Sequence, residues 1–377
     1  TGEREVRLAV GDGEVGGLLL APPEPAALYV FAHGAGAGMR HRFMAALAVL
    51  LFATPAAALN YTGSSSQFAG GFVPGNAPHG GFGGAYSCTV TKVPVVFLHG
   101  NGDEAKNWDY PSSTGVPSAY DSFKNAGYAD CELFGVNYLS SSERSAPQLN
   151  YHDSSTADLV ADFIDDVLAY TGADEVDVVA HSMGVTVGLH ALDYGGLWSS
   201  VRRFVSIGGA LRGLSSCYWA GYANPYVSTC GSQNVWASNV FGFYPHTWYA
   251  GNPRMGNGGF RDRPGSHSGT LFYSLRAGYH DQVHCTTASY YSGCWQTALF
   301  DTYSNVEAQL DVGDGSTAAE VDYDFADWSP YNLSGGDLDG VGHFRSKNNT
   351  GAVQVNFLAT SCTGSGCCSG YSGACTP

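Results

Sequence analysis

Hydrophobic residues along this chain gather in short blocks separated by glycine, serine, asparagine and proline. Lys92–Leu98, apolar from Val93 onward, and Val176–Ala180 are continuous enough to be strands covered on both faces. Further strands are expected over 131–138, 203–207, 271–276 and 306–312. Between them the period changes. Leu159, Val160, Phe163, Ile164, Val167 and Leu168 recur at helical spacing over 155–170, with Ser155 available as cap and Gly172 as stop. Residues 185–194 and 351–359 also read as helices. Strands alternating with helices imply a mostly parallel central sheet, flanked by helices and joined by right-handed crossovers. Two stretches stand outside that rhythm: a glycine-rich arm over 59–87, expected to be irregular, and a long insertion over 210–269.

The abrupt end of one apolar block concentrates the candidate chemistry. Val176-Asp-Val-Val-Ala-His-Ser-Met-Gly184 reads as strand, sharp turn and helix start. It resembles the nucleophile elbow of α/β-hydrolases, with Ala180 in place of the first glycine of G-x-S-x-G. A serine nucleophile needs a base and an orienting acid, and in this fold they follow it in the order acid, then histidine. Asp281, just past the strand ending at Arg276, and His343, on a glycine-rich loop after the last expected strand, fit that order. Asp337 and Asp339 are the rivals for the acid. The oxyanion donors would be the backbone N–H groups of Met183, next to the serine, and Asn101, in the His99-Gly-Asn-Gly102 loop.

The insertion carries many aromatic residues, among them Tyr218, Trp219, Tyr222, Tyr226 and Trp248, set among Gly, Ser, Asn and Pro. They form either the insertion's own small core or a rigid face suited to a solid polymer.

The first 58 residues do not continue this pattern. Segments 5–10 and 17–21 read as a hairpin about Gly11-Asp12-Gly13. Gly11-x-Gly13-x-x-Gly16 formally matches a dinucleotide fingerprint, but no helix follows it, so no cofactor is expected. Met39-Arg-His-Arg42, the apolar run 43–52 and Thr54-Pro-Ala-Ala-Ala58 read as a secretory signal, or as the first helix of a truncated upstream hydrolase. The expected organisation is an extraneous segment 1–38, which through Ala32-His-Gly-Ala-Gly-Ala-Gly38 resembles the start of another α/β-hydrolase, a signal-like segment 39–58 with Met39 as the start of translation, and one catalytic domain over 59–377.

Composition narrows the partners. A formal net charge of -16 would repel phosphate backbones, so nucleic acid is not an expected partner. Ten cysteines are present without the paired C-x-x-C spacing of a metal site. They point to disulfides in an oxidising compartment and to no bound metal, with Cys217/Cys230 and Cys285/Cys294 spaced to close short loops and Cys88/Cys131 as a further pair.

Several segments together carry a family likeness: Phe97-Leu-His-Gly-Asn-Gly-Asp103, Phe134-Gly-Val-Asn-Tyr-Leu-Ser-Ser-Ser142, Val179-Ala-His-Ser-Met-Gly184, Tyr222-Ala-Asn224, Cys230-Gly-Ser-Gln-Asn234, Ala277-Gly-Tyr-His-Asp-Gln-Val283 and Val341-Gly-His-Phe-Arg345. From about Gln67 to Cys368 the chain resembles the lipase-like extracellular poly(3-hydroxybutyrate) depolymerases that lack a separate substrate-binding domain. The resemblance implies an α/β-hydrolase fold and a serine esterase with Ser182, Asp281 and His343 as triad. It also implies Asn101 and Met183 as oxyanion hole and exposed aromatics near the cleft, of which Tyr151 is the best match. Leu149 stands where that family tends to carry a further tyrosine. The expected protein is thus a secreted, monomeric enzyme without a membrane anchor, acting on an insoluble polyester. A triacylglycerol lipase, a broad polyesterase and a non-catalytic polymer-binding protein are the alternatives.

Overall fold

The computed structural model describes residues 3–10, 13–20, 59–63, 68–77, 79–110, 117–150, 153–211, 263–278, 281, 283–284, 294–312, 342–368 and 374–376. The chain divides into two compact units, Thr1–Ala58 and Leu59–Pro377. In the first, β1 (Glu3–Val10) and β2 (Gly13–Leu20) pair antiparallel, with Gly16 opposite Arg7. Gly13 and Gly16 of the apparent dinucleotide fingerprint therefore lie on a strand and open no helix.

The second unit is built on a sheet that has nine strands among the described residues, in the order β11 (Ala374–Thr376), β10 (Val306–Asp311), β9 (Leu271–Arg276), β8 (Val201–Ile207), β7 (Val176–His181), β5 (Val95–Leu98), β6 (Leu133–Val136), β4 (Gly81–Phe82) and β3 (Tyr61–Thr62). Its centre is β5, β6, β7, β8, β9 and β10. Every pairing within that centre is parallel. This is the α/β-hydrolase arrangement expected from the alternation of blocks.

The strands are apolar at successive positions because helices cover both faces. Val96, Leu98, Val178 and Ala180 pack with Val160, Phe163 and Val187 from α2 (Ser154–Thr171) and α3 (Met183–Tyr194). Val95, Phe97, Val179 and Val205 face the other way, toward Phe123 of α1 (Ala119–Asn125) and Val353 and Phe357 of α5 (Gly351–Phe357). Between His343 and α5 lies a single turn, α4 (Arg345–Asn348).

Some expectations need correction. Helix α2 is capped by Asp153, whose side chain accepts the Thr156 N–H at 2.8 Å; Ser155 lies inside the first turn and donates its hydroxyl to that carboxylate. Gly172 ends the helix as expected, in the left-handed region at φ 66°. The arm is not wholly irregular. Tyr61–Thr62 (β3) and Gly81–Phe82 (β4) extend the sheet antiparallel beyond β6, in pairings too short to leave an alternation in the sequence. At Gly81 an added Cβ would lie 2.0 Å from the Gly135 carbonyl oxygen, so only glycine lets the two strands approach. At the opposite edge Ala374–Thr376 (β11) pairs antiparallel with β10, so β10 is not the last strand.

The pair Cys88–Cys131 forms, and the tail adds Cys362–Cys367 and Cys368–Cys375. Cys217, Cys230 and Cys285 lie outside the described residues. No helix among the described residues is long and apolar enough to cross a membrane.

Candidate active site

The segments that follow β5, β7, β8 and β9 converge with the His343 loop at the carboxyl edge of the sheet. Strand β7 stops at His181, and Ser182 turns the chain into α3 at φ 55°, ψ -124°. A non-glycine residue in that region carries strain of about 1–3 kcal/mol, which the surroundings must hold in place. Two backbone bonds do so: the Ser182 N–H donates to the Ile207 carbonyl at 2.8 Å, and its own carbonyl accepts the Val185 N–H at 3.0 Å. Gly184 makes the corner possible, because an added Cβ would meet the carbonyl oxygens of His99 at 2.4 Å and Leu98 at 2.7 Å. Ala180 is fully buried against the α2/α3 layer, while Ser182 keeps part of its surface open to solvent.

Asp281 and His343 come together. His343 Nδ1 lies 2.9 Å from Asp281 Oδ2 and 3.0 Å from Oδ1, with both residues buried. A carboxylate only accepts, so Nδ1 carries the proton and Nε2 is the ring atom left to take one. Burial opposes the charge on Asp281, but the His284 and His343 imidazoles and the backbone N–H groups of Val283 and His284 hold it well below the usual carboxylate range. Gly208, at φ 56° on the tip of β8, allows the approach: a Cβ there would sit 3.3 Å from the His343 ring and 3.6 Å from Asp281 Oδ2. The rival acids Asp337 and Asp339 lie outside the described residues.

The loop after β5 lies against the serine, since a Cβ on Gly100 would stand 3.1 Å from the Ser182 Cβ. Asn101 is strapped from behind: its amide donates to the Pro147 carbonyl at 2.9 Å and its oxygen accepts from Asn150 at 2.9 Å. Met183 opens α3, where first-turn N–H groups have no acceptor within the helix. Asn101 and Met183 thus flank Ser182. Tyr151, Tyr218, Trp219, Tyr222, Tyr226 and Trp248, the expected polymer contacts, lie outside the described residues. Leu149 is described and exposed.

Sequence reasoning missed three positioning groups. His181 is fully buried, and burial holds it well below its usual range, so it is neutral. Its Nε2 lies 2.9 Å from the His343 carbonyl, which can only accept, so Nε2 carries the proton and fixes the backbone of the histidine loop. Tyr138 stacks on His99 at 4.2 Å and donates to the His99 carbonyl. Lys347, fully buried, pairs with Asp103 at 2.9 Å and lies over the Trp108 ring, tying the Asn101 loop to the segment after His343. Burial opposes the Asp103 charge, yet the Lys347 ammonium overrides it and holds the carboxyl at about 2.

Residues 92–240 match the family described as Lipase (class 2), a stretch that contains the Asn101 loop and the elbow but neither Asp281 nor His343. Among solved structures, an Aspergillus fumigatus lipase B is similar at 17% identity over 49% of this chain and 37% of its own, with a TM-score of 0.31. A Bacillus licheniformis lipase in mature form is similar at 18% identity over 52% of this chain and 69% of its own, with a TM-score of 0.35. An Anabaena variabilis dienelactone hydrolase is similar at 15% identity over 55% and 64% respectively, with a TM-score of 0.25. The chain thus covers little more than a third of the first of these. No curated protein matches it in sequence.

Proposed function

We propose that residues 59–377 of this α/β-hydrolase are a secreted, monomeric serine esterase that cleaves a water-insoluble aliphatic polyester, poly(3-hydroxybutyrate) before others. The observation that carries the esterase reading is a serine held at a strained strand-to-helix corner, beside a buried Asp281–His343 pair whose Nδ1 is committed to the carboxylate. Ser182 Oγ attacks the ester carbonyl as His343 Nε2 takes its proton, and the N–H groups of Asn101 and Met183 receive the developing oxyanion. His343 then protonates the departing alcohol, leaving an acyl group on Ser182. Water, deprotonated by the same imidazole, releases the hydroxyacid end. Asp281 holds the ring and stays ionised throughout.

The polyester reading is supported by the segments shared with lipase-like depolymerases and by the aromatic, rather than aliphatic, side chains of the insertion. Export is supported by three disulfides among the described residues. The match of residues 92–240 to class 2 lipases favours the second reading, a triacylglycerol lipase or broad polyesterase. Rates on polyhydroxybutyrate granules and on emulsified triolein, measured side by side, separate them: clearing of granules with release of hydroxyacid oligomers supports the first, and hydrolysis of triolein alone supports the second. A protein that binds granules without turning over either substrate would be a polymer binder.

A further inference from the structure

Asp281 faces two imidazoles, and catalysis uses one. His284 is 2% exposed, and its Nδ1 lies 3.2 Å from Asp281 Oδ2, off the alignment of a hydrogen bond. Among the described residues nothing hydrogen-bonds to that nitrogen. The Gly208 carbonyl accepts from the ring's other nitrogen, Nε2, which leaves Nδ1 as a buried ligand atom facing the Asp281 carboxylate without a hydrogen bond. A cation placed there would bond to both groups at once.

The surroundings resemble the support of a metal ligand. An imidazole that donates its second N–H to a backbone carbonyl has its tautomer and ring plane fixed for coordination through the first nitrogen. The His343 ring lies edge-to-face with His284 at 5.4 Å, and ligand atoms from Asp281, His284 and His343 all fall within 4.8 Å of one another. Zinc–nitrogen and zinc–oxygen bonds of about 2.0–2.2 Å put neighbouring ligand atoms roughly 3.3 Å apart in a tetrahedral site. The distances of 3.2 Å and 2.9 Å to Asp281 Oδ2 lie within a few tenths of that. Two imidazoles and one carboxylate suit zinc and not magnesium or calcium, which prefer oxygen.

We propose that Asp281, His284 and His343 form a zinc site whose occupation switches the hydrolase off. Coordination takes His343 through Nδ1, so its proton moves to Nε2, the atom that must accept the Ser182 proton. The Asp281–His343 hydrogen bond is lost in the same step. The switching arm of this proposal rests on the serine esterase reading; the binding arm does not.

Titration of Zn²⁺ into the whole chain carrying Ser182→Ala, after treatment with chelator, is expected to show one site, weakened at least about tenfold by a further His284→Leu. Mg²⁺ is expected to give no site. Zn²⁺ should inhibit the unmodified enzyme reversibly to chelator. The inhibition curve of His284→Leu, normalised to its own uninhibited rate, should move by the same factor. No Zn²⁺ binding, or binding indifferent to His284→Leu, overturns the site. Should His284→Leu fail to fold, the visible spectrum of Co²⁺ bound to Ser182→Ala decides: tetrahedral bands support the proposal and an octahedral spectrum overturns it. Zn²⁺ binding by a protein that hydrolyses no ester would leave the site standing and refute the esterase reading.

Discussion

The two flanks of Ser182 are held by different physics. The Asn101 flank is fastened by a buried charge pair, Asp103–Lys347, together with the His99–Tyr138 stack and the Asn101–Pro147–Asn150 bonds. The His343 flank is fastened by two hydrogen bonds: the His181 imidazole donates to the His343 carbonyl, and the His343 ring donates to Asp281. A buried charge that loses its partner keeps its full desolvation penalty, whereas a neutral ring that loses one hydrogen bond costs far less. Damage to the first flank should therefore register as lost stability, and damage to the second as lost rate.

The sharpest break is on the rate side. Asp281→Asn leaves the shape of the site and should lower kcat by roughly 10⁴-fold while the unfolding midpoint stays close to wild type; ester hydrolysis and urea unfolding of one preparation test both halves. On the stability side, Lys347→Met strands a buried carboxylate and should cost about 3–5 kcal/mol in urea at neutral pH. The acid behaviour follows from Asp103. Its carboxyl is held at about 2 against an ordinary 3.8, so its contribution is present above 3.8 and is lost as pH falls toward 2. The gap between wild type and Lys347→Met should begin to narrow above that window, where the stranded carboxylate of the variant takes up its proton, and go on narrowing toward pH 2, in urea unfolding at stepped pH. At Gly184→Ala the methyl must push back the backbone carbonyls of His99 and Leu98, so the cost should reach or exceed the top of a range of about 1–3 kcal/mol, with a fall in rate as the corner and the Asn101 loop move apart. Opening Cys88–Cys131 with paired alanines, far from either flank, should cost about 2–4 kcal/mol and leave kcat unchanged. A Lys347→Met protein of normal stability, or an Asp281→Asn protein that unfolds early, would erase the distinction between the flanks.

What could be read from the sequence follows the same division. The strands β5, β7, β8 and β9 announce themselves because a strand covered on both faces must be apolar at consecutive positions. The candidate triad was legible because chain order ties each member to the end of a strand. His181, His284 and Lys347 were not, since a single polar residue carries no period and only tertiary packing decides whether it is buried and against what. The same holds for β3 and β4, whose two-residue pairings are fixed by glycine contacts across the sheet edge. Asp153 was passed over as cap because Ser155, two residues on, has the same capping chemistry; the backbone turn decides between them.

The central claim is that Ser182 is the nucleophile. Treatment of wild type and Ser182→Ala with an active-serine fluorophosphonate, followed by peptide mass mapping and an ester hydrolysis assay, tests it most directly. The account predicts a single adduct on the peptide containing Ser182, no adduct in the variant and a fall in kcat of roughly 10⁵–10⁶-fold. An adduct on another serine, or hydrolysis undiminished in Ser182→Ala, would contradict it.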